Sequence, residues 1–283
     1  RPELREEHTR TGLLRKLARD VDAGPEQLAL VDRCCSLYAE IGVMVDDVGL
    51  PLDSNCPVCA DCWAPFSSDQ RPEWGEAAVS VPWVGPRYFD RRVCAVAINQ
   101  NAYGGLGGLW WIINGALIDF DQGKRHHRDF QLHTGEYIAS IHASLDGTAP
   151  ARADGAPALA VAADAWRSCA FLEAVKCAPI GDRSKPSAEM WSNCPPRYLR
   201  AELEILEPNV LLVIGHDTWE TIKSILPITG TDWGESFWRA RSWLVDRPVD
   251  VFFVNHPAYG HWRHSLPSLL ASLERQPIGA DSR

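Results

Sequence analysis

The sequence predicts an α/β fold: a central, mainly parallel four-stranded sheet flanked by helices in three layers, with an N-terminal helical extension. Three observations carry this expectation. Four short apolar runs, at 92–98 (RVCAVAI), 168–175 (SCAFLEAV), 209–214 (NVLLVI) and 249–254 (VDVFFV), have the pattern of strands buried on both faces. Stretches of helical spacing alternate with the runs, which is the order of a parallel sheet wrapped by helices. The chain has 283 residues, 46% of them hydrophobic, enough for one large domain with a buried core.

Taken in order, residues 11–45 place Leu13, Leu14, Leu17, Leu28, Leu30, Val31, Leu37 and Ile41 at helical intervals, predicting two helices. They set residues 1–50 apart as the extension and leave 51–283 as the α/β domain. Residues 47–91 are rich in Pro, Gly, Asp and Trp and read as loop around a cysteine cluster. A helix is expected over 135–146, and the Ala-, Gly- and Pro-rich stretch 147–164 reads as a loop. A further helix is expected over 187–206, with Ser187-Ala188-Glu189-Met190 as a capping box at its start. Helices at 216–225 and 265–275 complete the pattern.

The formal net charge of −9 argues against a broad basic surface that coats DNA, though not against a small basic groove. No apolar run approaches the roughly 20 residues that span a bilayer, and the charged start RPELREEHTRTGLLRKLARD lacks the apolar core of a signal peptide. A cytoplasmic monomer without a membrane partner is the expectation. Nine cysteines are many for such a chain, and a reducing compartment disfavours disulfides. Cys34, Cys35, Cys94 and Cys169 lie in apolar periodic contexts and read as buried thiols. Cys56, Cys59 and Cys62 form CPVCADC, while Cys177 and Cys194 stand far downstream. On spacing alone, this set fits zinc as well as iron.

In open α/β sheets, ligands bind beyond the carboxyl ends of strands. Three such ends carry polar residues. The first runs into Asn99-Gln100-Asn101-Ala102-Tyr103, the second contains Glu173 and leads to Cys177, and the last runs into Asn255-His256-Pro257-Ala258-Tyr259.

These segments resemble a known family. Val175-Lys176-Cys177-Ala178-Pro179, then Cys194-Pro-Pro-Arg-Tyr-Leu, then Glu207-Pro208-Asn-Val-Leu-Leu-Val-Ile-Gly215 resemble the signature of the iron–sulfur uracil-DNA glycosylases. Val254-Asn255-His256-Pro257-Ala258 is similar to the family's second catalytic motif, and Phe130-Gln-Leu-His-Thr-Gly135 to the segment after its first. The order is collinear over roughly residues 55–275.

The resemblance implies a [4Fe–4S] cluster held by Cys56, Cys59, Cys177 and Cys194, with Cys59/Cys62 as the alternative N-terminal pair. It implies a DNA partner containing a damaged base, which leaves the stack and enters a pocket. His256 would donate a hydrogen bond to the departing base, and Asn99 would orient water, with Asn101 as the alternative and Gln100 beside it. Phe130 would stack on the base, and Glu173 would read its edge. Tyr259, Trp262 and Arg263 would enter the duplex, and Lys124 and Arg125 would grip phosphates.

Two departures stand out. Ile98-Asn99 resembles the mismatch-specific uracil/thymine enzymes more than the iron–sulfur ones, and Glu173 stands where an asparagine is usual. An ionised carboxylate only accepts hydrogen bonds, so it would repel a uracil carbonyl. Glu173 is therefore protonated, or the base is not simple uracil, or the strand register differs and another residue reads the base. The other readings are a superfamily member that binds modified nucleic acid without catalysis, and an unrelated α/β metalloprotein.

Overall fold

The fold is described from a computed structural model over residues 9–41, 44–45, 48–49, 59–67, 80–98, 107–125, 128–148, 156–176, 185–234, 237–257, 260–276 and 278. The elements run α1 (Arg10–Asp20), α2 (Pro25–Glu40), β1 (Met44–Val45), β2 (Val48–Gly49), α3 (Cys59–Trp63), β3 (Trp83–Val84), α4 (Tyr88–Arg91), β4 (Val93–Ala97), α5 (Gly108–Asp121) and α6 (Asp129–Leu145). They continue with α7 (Ala156–Arg167), β5 (Cys169–Glu173), α8 (Ala188–Arg197), α9 (Leu199–Leu206), β6 (Val210–Ile214), α10 (His216–Ile225), β7 (Ile228–Gly234), β8 (Phe237–Leu244), β9 (Arg247–Val254) and α11 (Trp262–Arg275). All four expected strands form. The chain divides into two units, one of residues 1–84, 98–112 and 172–206, the other of residues 85–97, 113–171 and 207–283.

In the first unit, α1 and α2 form where the leucine spacing places them. The Thr9 side chain caps α1 by accepting from the Gly12 N–H at 3.0 Å. Pro25 opens α2, where its missing N–H costs nothing, and the Gln27 amide oxygen accepts from the Gly24 N–H at 2.8 Å. Ser187 caps α8 by accepting from the Met190 N–H at 3.1 Å. Met190, not a glutamate, holds the reciprocal position, so the expected capping box is a simple cap. The helix expected over 187–206 ends at Arg197 and restarts as α9, because Pro195 and Pro196 withdraw two N–H donors from the last turn of α8.

This unit also buries an ion pair. Lys176 Nζ lies 2.7 Å from Glu202 Oε1, both side chains are wholly buried, and the Tyr38 hydroxyl donates to the same carboxylate. Burial pushes the Glu202 carboxyl up, while Lys176 and Tyr38 pull it back.

In the second unit, β4, β6 and β9 form a parallel core. Val93 to Val96 pair with Val210 to Val213, and Val210 to Ile214 with Asp250 to Val254. Every residue of β4 and β6 is buried, as expected for strands covered on both faces. Five strands lie wholly within this unit, neighbours in the order β4-β6-β9-β8-β7. The expectation of four strands is thus corrected. β7 and β8 are antiparallel additions, with Phe237 facing Val254 and Leu244 facing Arg247 across β8 and β9. Their mixed composition, as in FWRARSWL, lacks the continuous apolar run by which the parallel strands are recognised.

Residues 156–167, expected as part of a loop, form α7 instead. Its sequence, APALAVAADAWR, is rich in alanine, the strongest helix former. The helix docks on α6 where Gly135 meets Ala162. A Cβ at residue 135 would lie 2.6 Å from the Ala162 Cβ, so only glycine permits this approach. Among the described residues, no helix is long and apolar enough to cross a membrane.

Candidate functional site

β9 ends at Val254, and the chain turns through Asn255, His256 and Pro257 toward α11. His256 is half-buried, and its ring stacks on Phe130 of α6 with 5.1 Å between centroids and 28° between planes. Phe171 meets Phe130 edge-on at 6.0 Å. Burial first, and His261 second, hold the His256 imidazole below the ordinary histidine value, so it is neutral at neutral pH. A neutral ring still donates through one nitrogen. The histidine also has room at Gly215, the residue after β6. There φ is +91°, and an added Cβ would come 3.8 Å from the His256 Cβ. The site thus brings together two of the residues expected from the sequence, His256 and Phe130.

Trp262 and Arg263, expected to enter DNA, lie on the first turn of α11. Trp262 is half-buried and stacks on His133 of α6 at 4.0 Å and 14°. The Arg263 guanidinium is exposed, 5.7 Å from the Trp262 ring centroid. Lys124 and Arg125 are exposed, with Lys124 on the Gln122 side chain at 2.6 Å and Arg125 on Asp129 at 2.8 Å. Asn99, Gln100, Asn101 and Tyr259 lie outside the described residues. Glu173 belongs to the first unit and is buried, 2% exposed.

Of the cysteines, Cys56 and Cys177 lie outside the described residues, and Cys59 falls in α3 with its side chain outside them. Cys194 on α8 and Cys62 on α3 are both buried, and the two helices pack together. The Ser187 hydroxyl donates to the Cys62 carbonyl at 2.7 Å, and the Asn193 amide nitrogen lies 3.7 Å from the Cys62 sulfur. Two buried thiols on touching helices, one with an N–H directed at its sulfur, are a donor set that fits a thiolate-held metal group. Among the described residues, no three metal-ligating side chains gather.

His133, Glu136, Tyr137 and Ser265 escaped the sequence reading. The signal available was the spacing of Phe130, His133 and Tyr137, which places three rings on one face of α6.

No curated protein matches the chain. Residues 124–273, which include α6, the parallel core strands β6 and β9, and His256, match the family described as the uracil DNA glycosylase superfamily. The match covers more than half of the chain, and the protein belongs to that superfamily.

Proposed function

We propose that the protein is a DNA glycosylase that flips out a deaminated or damaged base and hydrolyses its N-glycosidic bond in base-excision repair. One observation carries the reading: a neutral histidine at the end of a core strand lies ring to ring with the aromatic residue assigned to the base. As the bond from C1′ to the base nitrogen breaks, its electron pair passes to the base. His256 stabilises that anion by donating a hydrogen bond, a role in which a preorganised neutral donor is effective. Phe130 offers the base a stacking face. Asn99 orients the water that adds to the cationic sugar, and Gln100 and Asn101 border the base. An amide positions water without taking its proton, which suits a dissociative path. Glu173 selects the base by its edge. Tyr259, Arg263, Lys124 and Arg125 contact the DNA.

Cys194 and Cys177, with Cys56 and Cys59 or with Cys59 and Cys62, would hold a [4Fe–4S] cluster. The cluster would serve structurally, tying the cysteine-rich segment to the segments around Cys177 and Cys194. Absorbance at about 400 nm in purified protein supports iron–sulfur over zinc.

The activity is tested on oligonucleotides carrying uracil, hypoxanthine, xanthine or a thymine mismatch. Release of at least one base is expected. Release of none overturns the reading for these substrates.

A further inference from the structure

We propose that one face of α6 positions the His256 loop, with His133 as the positioning residue for the base-releasing step. Phe130, His133 and Tyr137 recur at intervals of three and four residues along α6, so their side chains share one stripe of the helix. Along that stripe, Phe130 stacks on His256 and His133 stacks on Trp262. Trp262 and Ser265 are themselves three residues apart on the first turn of α11. Two ring stacks therefore join α6 to His256 and to the first turn of α11.

Each contact is built. His133 is 4% exposed, and its Nδ1 lies 2.7 Å from Glu136 Oε2, three residues along the helix, which fixes the ring against rotation. The 14° stack then sets the plane of the Trp262 indole. Ser265 is wholly buried, and its hydroxyl oxygen accepts from the Asn255 N–H at 3.1 Å. Asn255 immediately precedes His256, so the loop is held upstream through Ser265 and downstream through Trp262. Hydrogen-bond donation to a leaving group depends on placement to a fraction of an ångström, which loop backbone alone does not provide. In this arrangement the Trp262 indole is an anchor and not a wedge between bases.

The catalytic consequence rests on the glycosylase reading, while the structural one stands without it. The experiment accordingly has two readouts: the exchange rate of the Asn255 amide, and kcat and KM on an oligonucleotide the wild type cleaves. His133→Ala is expected to speed Asn255 exchange about tenfold and lower kcat about tenfold, with KM within about twofold. His133→Phe, which keeps a flat ring, recovers most of both. Trp262→Ala, on the half-exposed side of the stack, repeats the effect and serves where His133→Ala does not fold. Unchanged Asn255 exchange overturns the proposal, as does a loss confined to KM, which assigns Trp262 to DNA contact. His133→Phe behaving like His133→Ala also overturns it. If the wild type releases no base, the glycosylase reading falls and the exchange readout alone decides the positioning role.

Discussion

In the first unit, a lysine, a carboxylate and a phenol meet with the charged side chains wholly buried. In the second, two histidines lie flat against aromatic rings at 5.1 and 4.0 Å. Both clusters fix a segment of chain, by opposite physics. A buried ion pair is expensive to desolvate and tolerates no missing partner, so it specifies geometry through the penalty for being wrong. Stacked rings gain area and a modest orientational preference, and a neutral imidazole is not penalised among them. Charge suits Lys176, which must only stay in place. Stacking suits His256, whose imidazole burial keeps neutral.

The sharpest way to break this contrast is to remove one partner of the ion pair. Lys176→Met or Glu202→Leu should each destabilise by about 3–5 kcal/mol, whereas the double variant should recover much of that loss. Urea titration of the three proteins checks it, and additive single losses would deny the coupling. On the stacked side, His256→Ala should cost base release about 10²–10³ in kcat, because the donor acts in the transition state. Its melting temperature should stay close to the wild type, since His256 is only half-buried.

A third histidine shows burial without a stacking partner. His142 on α6 is buried, its Nε2 has no hydrogen-bond partner among the described residues, and burial followed by Arg91 lowers its pKa to about 4. The unfolded chain takes up the proton near 6.5 and the folded chain only near 4. Its stabilising contribution is therefore complete above about pH 6.5 and lost as pH falls toward 4, a total of about 3 kcal/mol. Denaturant midpoints across this window should fall in the wild type and flatten in His142→Leu. Gly215→Ala should cost about 1–3 kcal/mol through backbone strain alone, as φ is +91° and the nearest atoms leave ordinary contact distance. Smallest is Ser187→Ala, at about 1 kcal/mol for a lost helix cap, measured by thermal melting.

The parallel core was legible because strands buried on both faces leave continuous apolar runs, as in Val93–Ala97 and Val210–Ile214. The antiparallel pair was not, since Arg239, Arg241 and Ser242 interrupt β8 and its ladders with β7 and β9 make it a strand. Helix α7 was hidden by the glycine and prolines around its alanines. At the site, His256 and Phe130 were legible by resemblance, whereas His133 and Ser265 act by contact across the fold. Such contacts leave no local pattern, and only the helical interval from Phe130 hinted at them.

β9 is laddered on both edges, running parallel to β6 and antiparallel to β8 over shared residues. A slip of one residue would turn its core side chains to the opposite face and put Asn255 where Val254 ends the strand. Two ladders of opposite sense must break together for that slip to occur. The address of His256 is thus counted off twice, once from each neighbouring strand, and neither count can drift without the other.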